Sequence, residues 1–184
     1  MPRKRHAVVS GLPAWAEVSK KRRAHVERVV ALLERWAGEL RVPAAEADAW
    51  RAAGFLHDAL RDAPKKLLRA VTRDKTGVAE LLHGPAAAIR ARADGERRAD
   101  VLDAVRFHTL GSATWKRTGK ALYMADFLEP GRKFLIDERA FLADNVAHDF
   151  AGTFRQVVRM RLEWSLRQGG ELFPDSVKLW HAVR

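Results

Sequence analysis

Apolar residues in this chain recur at three- and four-residue intervals and almost never alternate, which commits it to helices rather than strands. Val26, Val29, Val30, Leu33 and Trp36 or Ala37 trace one face of a helix that Ser19 caps and that runs to about residue 40. Pro43 opens a second helix, through Ala49, Trp50 and Ala53 to Asp58, and Pro64 a third, to about Val71. Short helices are expected at 78–82 and 85–92. Gly95 then breaks the chain, and residues 96–108 read as a helix with Val101, Leu102 and Val105 inward. A loop at 109–118 holds Gly111 and Ser112, and a helix over 119–128 stops before Pro130. Residues 137–168 read as one long helix or two broken near Gly152, and 174–183 as a last short one. Pro13 to Ala16 suggests a helical turn. No repeat or composition shift marks a boundary. The expectation is an all-α protein: a basic arm at 1–12, then a single compact multi-helix domain over 13–184.

The 184 residues fit one domain, and the 47% hydrophobic fraction supplies a core. With no cysteine, a disulfide scaffold, a thiolate zinc site and a cysteine nucleophile are all excluded. No apolar run reaches the ~18 residues of a membrane span, and the apolar part of the basic N-terminus is too short for a signal peptide. These features predict a cytoplasmic protein with no membrane partner. The net charge of +11 favours polyanions, either nucleic acid or phosphate-rich small molecules. A general bias toward Arg and Ala accounts for that charge equally well.

The chemistry sits in an ordered series: His25, the adjacent pair His57 and Asp58, His83, His108 and Asp126. Asp58 lies among Leu56, Ala59 and Leu60, and Asp126 among Ala125, Phe127 and Leu128. A carboxylate in such surroundings is costly unless it is paired or binds a metal. Imidazole and carboxylate together suit iron, manganese or zinc better than magnesium. Neighbouring residues on a helix point about 100° apart, so His57 and Asp58 share a metal only if other helices complete the shell. His25 and Asp126 are the candidates for that. His83 and His108 could serve a second ion, with Asp58 bridging the two. His6, His148 and His181 lack such context.

The series resembles the HD-domain superfamily of metal-dependent phosphohydrolases, named for the His-Asp pair. Four local motifs are similar to the YqeK family within it: His25-Val26, Ala53-Gly54-Phe55-Leu56-His57-Asp58, Leu82-His83-Gly84-Pro85, and Ala104 to Gly111. A fifth segment, Lys120 to Arg132, resembles the family's aspartate helix with its Glu-Pro end. The resemblance spans roughly residues 19–180. It implies symmetrical cleavage of diadenosine tetraphosphate to two ADP, with a divalent metal, iron foremost and manganese or another ion as alternatives, in one or two copies. It places the primary metal on His25, His57, Asp58 and Asp126. His83 and His108 fall where two-metal members have further ligands. With one metal, they would contact phosphate or relay protons instead.

The resemblance further implies substrate contacts from Thr109 and Gly111, in a loop suited to close phosphate approach. It adds Glu129 and a bidentate Arg132 just past the metal helix. Arg61, with Lys120, would neutralise polyphosphate charge. Trp115, Phe107 or Phe134 could stack on a base. Arg61 departs from the family's Lys and is a poor proton donor. Trp115 stands where Met is usual, and Ser112 where an Arg often follows the loop glycine. Asp58 and Arg61 are the expected catalytic residues, and the partner a dinucleoside polyphosphate. The alternatives are another HD activity on nucleotide mono- or triphosphates, and a non-catalytic nucleotide or RNA binder. The oligomeric state, a dimer included, is left open.

Overall fold

The computed structural model describes residues 11–184, so the basic arm expected at 1–12 lies outside them up to Ser10, as does His6. Among the described residues there are nine α-helices, one 3-10 turn and no strand. None of the helices is long and apolar enough to cross a membrane.

Helix α1 (Lys20–Glu39) starts where expected: the Ser19 hydroxyl accepts from the Arg22 N–H at 3.2 Å, satisfying one orphan donor of the first turn. Its apolar stripe from Val26 to Ala37 is buried. Arg41, with φ 50°, turns the chain toward Pro43 and α2 (Ala44–Leu56). At Gly54 the two helices nearly touch. A Cβ there would lie 2.8 Å from Val30 Cγ2 and 2.9 Å from Leu33 Cδ1. That close approach brings the end of α2 alongside His25.

Helix α2 stops at Leu56, two residues short of the expected end, and the chain runs on in turns to Pro64 and α3 (Lys65–Thr72). The 3-10 turn Ala79–Leu81 leads directly into α4 (His83–Ala93), which begins two residues before Pro85. Helix α5 is Ala99–Phe107, and α6 is Arg117–Leu128.

The long C-terminal stretch is two helices, α7 (Ile136–Asn145) and α8 (Phe150–Arg167). The break spans residues 146–149, near Gly152 as expected but not made by it. Asp149 is the reason: its carboxylate caps α8 by accepting from Gly152 N–H at 2.8 Å. A Cβ on residue 152 would collide with that carboxylate, so the glycine makes room for the cap instead of breaking the helix. Helix α9 is Pro174–Val183, as expected.

Helix α6 is the axis of the core. Residues 121–129 are all buried, and α1, α2, α5, α7 and α8 pack around it. A helix apolar on every side belongs in an interior. Asp126, on its last turn, is thereby carried inside and must find partners there.

Candidate metal centre

Three of the four candidate histidines stand at helix ends, and one local device orients all three. His57 and His108 directly follow α2 and α5, and His83 opens α4. Each Nδ1–H donates to the carbonyl three residues back: His57 to Gly54 at 2.7 Å, His83 to Glu80 at 2.8 Å, and His108 to Val105 at 2.8 Å. A carbonyl only accepts, so the proton is on Nδ1 and each Nε2 carries a lone pair. His25, on α1, turns its Nδ1 to the Glu129 carboxylate at 3.1 Å. All four Nε2 atoms therefore face inward.

They converge on two carboxylates. His25 Nε2 lies 3.2 Å from Asp126 Oδ1 and 3.4 Å from His57 Nε2. His83 Nε2 lies 3.0 Å from His108 Nε2. Asp58 stands between the two pairs. Its Oδ2 is 3.6 Å from both His25 and His57, and its Oδ1 is 3.2 Å from His83 and 3.4 Å from His108. Two buried trios result, His25–His57–Asp126 and Asp58–His83–His108, the donor atoms of each within 4.8 Å of one another.

These residues fit a divalent cation. The Nε2 lone pairs of His83 and His108, 3.0 Å apart, repel unless a positive species lies between them, and both carboxylates are buried anions. The histidines titrate in opposite directions. Burial opposes charge on His25, but Asp126 and Glu129 outweigh it and raise its pKa to about 9. Burial dominates at His57, lowering its pKa to about 4, and also depresses His83. Asp58 and Asp126 stay well below the carboxylate range despite burial, held by the surrounding imidazoles and, for Asp126, by Arg132 and Arg161.

Arginines ring the centre. Arg22 Nη1 donates to Asp58 Oδ2 at 2.7 Å. Arg132 Nη2 donates to Asp126 Oδ1 at 2.6 Å, and Arg161 Nη1 to Asp126 Oδ2 at 3.2 Å. The Arg161 guanidinium lies 4.0 Å above the Tyr123 ring. Arg22, Arg28 and Arg161 were not among the sequence candidates, yet spacing marks them. Arg22 and Arg28 flank His25 at intervals of three on α1. Arg161 continues the buried stripe Phe154, Val157, Val158 of α8. A charge on such a stripe is the legible signal.

The other expected contacts divide. Arg132, Thr109 and Phe134 line a cavity of about 370 Å³ that opens beside Asp126. Thr109 Oγ1 is 3.3 Å from His108 Nε2. Arg61 bonds the Glu80 carbonyl at 3.3 Å, the same oxygen that orients His83. Gly111, Lys120 and Glu129 do not line that cavity. Gly111, at φ 89°, is a packing glycine: a Cβ there would meet Leu179 Cδ2 at 2.3 Å. Lys120 lies over the Phe154 ring. Glu129 is buried behind His25, gripped by Arg28 and the Gly131 N–H. Trp115 is buried edge-on to Tyr123, against Gly119, which gives its ring no open face for a base. His148 and His181 are exposed, away from the centre.

The HD-domain family model matches residues 22–147, which contain all six converging side chains. The chain belongs to the HD-domain family. Among curated relatives of this HD protein, the symmetrical bis(5'-nucleosyl)-tetraphosphatase of Bacillus subtilis is 30% identical over 67% of this chain and 70% of its own length. The enzyme of the same name from Halalkalibacterium halodurans is 27% identical over 71% and 73%. A crystal structure of a predicted HD superfamily hydrolase involved in NAD metabolism from Clostridium acetobutylicum superposes with a TM-score of 0.77. It covers 90% of each chain at 26% identity.

Proposed function

We propose that this HD-domain protein is a metal-dependent phosphohydrolase that cleaves diadenosine tetraphosphate symmetrically into two ADP in the cytoplasm, and that its working domain is residues 13–184. The observation that carries this is the Asp58 carboxylate, with one oxygen toward each histidine pair. The relatives named as symmetrical tetraphosphatases supply the substrate class.

His25, His57 and Asp126 would hold one divalent ion, His83 and His108 a second, with Asp58 shared. The nitrogen-rich set favours iron(II), with manganese next. A cation held there polarises a phosphoryl oxygen and lowers the pKa of water. Everything else falls to the chain. The Nδ1 hydrogen bonds fix the imidazole planes before substrate arrives. Arg132 and Arg161 keep Asp126 ionised and face the cavity, where they neutralise charge that grows on the phosphates. Thr109 offers a hydroxyl beside His108, and Arg61 adds positive charge at the His83 edge. One water is consumed. Its oxygen joins one of the two central phosphorus atoms, and the bridging oxygen leaves on the other, giving two identical nucleoside diphosphates.

The test is product analysis under exclusion of oxygen. Protein loaded with Fe²⁺ or Mn²⁺ and given diadenosine tetraphosphate should yield ADP alone. ATP with AMP, or no turnover by metal-loaded protein, overturns the assignment, and a panel of nucleotide mono- and triphosphates then locates the substrate.

A further inference from the structure

Three backbone carbonyls orient His57, His83 and His108, and one of them stands apart. Gly54 and Val105 lie within α2 and α5, whose regular backbone fixes the direction of their carbonyls. Glu80 lies instead in the three-residue 3-10 turn, ahead of the helix that His83 opens. A turn this short has few hydrogen bonds of its own to stiffen it. The support comes from outside. Cations recur at intervals of four at Arg61, Lys65 and Arg69, the first just before α3 and the other two on it. All three reach the connector between α3 and α4. Arg69 donates to the carbonyls of Asp74 at 3.2 Å and Gly77 at 3.0 Å. Lys65 Nζ meets the Glu80 carboxylate at 2.5 Å, and Arg61 Nη1 meets the Glu80 carbonyl at 3.3 Å. Helix α3 fully buries only Leu68, so little of it belongs to the core and its cationic face is directed at the connector.

We propose that Arg61 and Arg69, with a smaller part from Lys65, are positioning residues for His83. They hold the Glu80 carbonyl where it keeps the His83 proton on Nδ1 and turns Nε2 toward Asp58, 3.2 Å away. They thereby set the affinity of the ion held by Asp58, His83 and His108, and leave the ion at His25, His57 and Asp126 to the helices. This rests on the two-ion reading above and sharpens it. The three contributions rank by exposure. The Lys65 and Glu80 side chains are 70% and 57% exposed, so their ion pair is worth little, and the arginines act through main-chain carbonyls. Charge alone predicts the opposite sign. A cation beside a metal site repels the metal, so deleting Arg61 would tighten binding if charge were its only effect. Weaker binding is therefore the mark of positioning.

The test titrates Mn²⁺ by calorimetry into metal-stripped protein, unaltered and as Arg61→Met, Arg61→Lys and Arg69→Met, with electron paramagnetic resonance reporting coupled ion pairs. The unaltered chain should bind two ions in two steps. Arg61→Met should weaken the second step about tenfold, the lower end of what losing a ligand's supporting partner costs, with the first step unchanged and the coupled signal reduced. Arg61→Lys, which can still donate to the carbonyl, should restore most of the loss. Arg69→Met touches only the connector backbone; it should weaken the second step in the same sense, and it serves if Arg61→Met does not fold. A second step that tightens or stays the same, or equal weakening of both steps, overturns the proposal. Nitrogen-15 spectra of the imidazoles in stripped protein give a readout that needs no ion. With the His83 signals assigned by their loss in His83→Gln, Arg61→Met should move His83 away from the Nδ1–H tautomer, and an unmoved tautomer overturns its positioning. If the unaltered chain binds a single ion, the two-ion reading falls, and the tautomer alone decides whether the arginines position His83.

Discussion

His25 Nδ1 and Glu129 Oε1 are 3.1 Å apart, joining the first helix of the domain to the residue that ends the sixth. Glu129 is fixed in turn by the Arg28 guanidinium and the Gly131 N–H. Burial would raise its pKa, but the hydrogen bonds from His25, Arg28 and Gly131 bring it to about 2. A carboxylate behind a metal-facing imidazole fixes the ring and raises its basicity.

Glu129→Gln should therefore weaken metal binding by roughly 10- to 100-fold, the usual effect of losing such a partner, with the helical fold kept. Titration of the stripped protein with Mn²⁺ measures it. An unchanged affinity would give Glu129 a merely structural role.

Asp58→Asn keeps the volume and removes the charge that both histidine pairs share. It should abolish turnover and lower metal content, because the His83–His108 pair then has no anion and the His25–His57–Asp126 trio loses the neighbouring one. Full activity in a folded variant would refute the assignment of the centre.

Metal-free protein should be most stable near pH 6.5. His25 is raised to about 9, so its contribution is complete below 6.5 and is lost as pH climbs through 9. His57 is lowered to about 4, so its neutral form favours the fold above 6.5, and that contribution is lost as pH falls toward 4. Thermal melts in chelator across pH 4–10 should trace a dome. A curve still rising above pH 8 would contradict the His25 shift.

Gly54→Ala should cost about 1–3 kcal/mol, the range for overpacking a filled core, because the added methyl meets Val30 and Leu33 inside contact distance. Since the Gly54 carbonyl orients His57, metal affinity should fall with the melting temperature. Equilibrium denaturation and metal titration report the two effects separately.

Arg139 is 2% exposed and gives its guanidinium to the carbonyls of Phe127, Glu129, Arg132 and Phe134. Arg139→Leu strips those carbonyls of their donor and should destabilise the domain by about 3 kcal/mol. A shift under about 0.5 kcal/mol in urea unfolding, the size of an ordinary surface change, would show that water replaces it.

The helices and the six converging side chains were legible because both leave local marks: periodic apolar residues, and His or Asp among apolar neighbours. Ser19, Pro43 and Pro64 mark their helix starts for the same reason. The arginines are marked more faintly, since Arg is common throughout this chain: Arg161 shows only as a charge on an apolar stripe, and tertiary packing alone separates Arg139 from the solvated ones. Gly152 marks the neighbourhood of the break without making it, because helix breaking and making room for a cap leave the same residue in the sequence. Glu129 and Lys120 follow and open a motif on the metal helix, but the rotation of α6 sends one behind His25 and the other toward Phe154.

The six donors come from five places in the chain, and the first and last belong to helices that only the finished tertiary structure brings together. During synthesis, then, no emerging fragment holds a complete trio around His25 until α6 has left the ribosome and packed. A cation held by that trio would therefore report that α1, the end of α2 and α6 have packed together, a check on long-range closure that no local segment can pass alone.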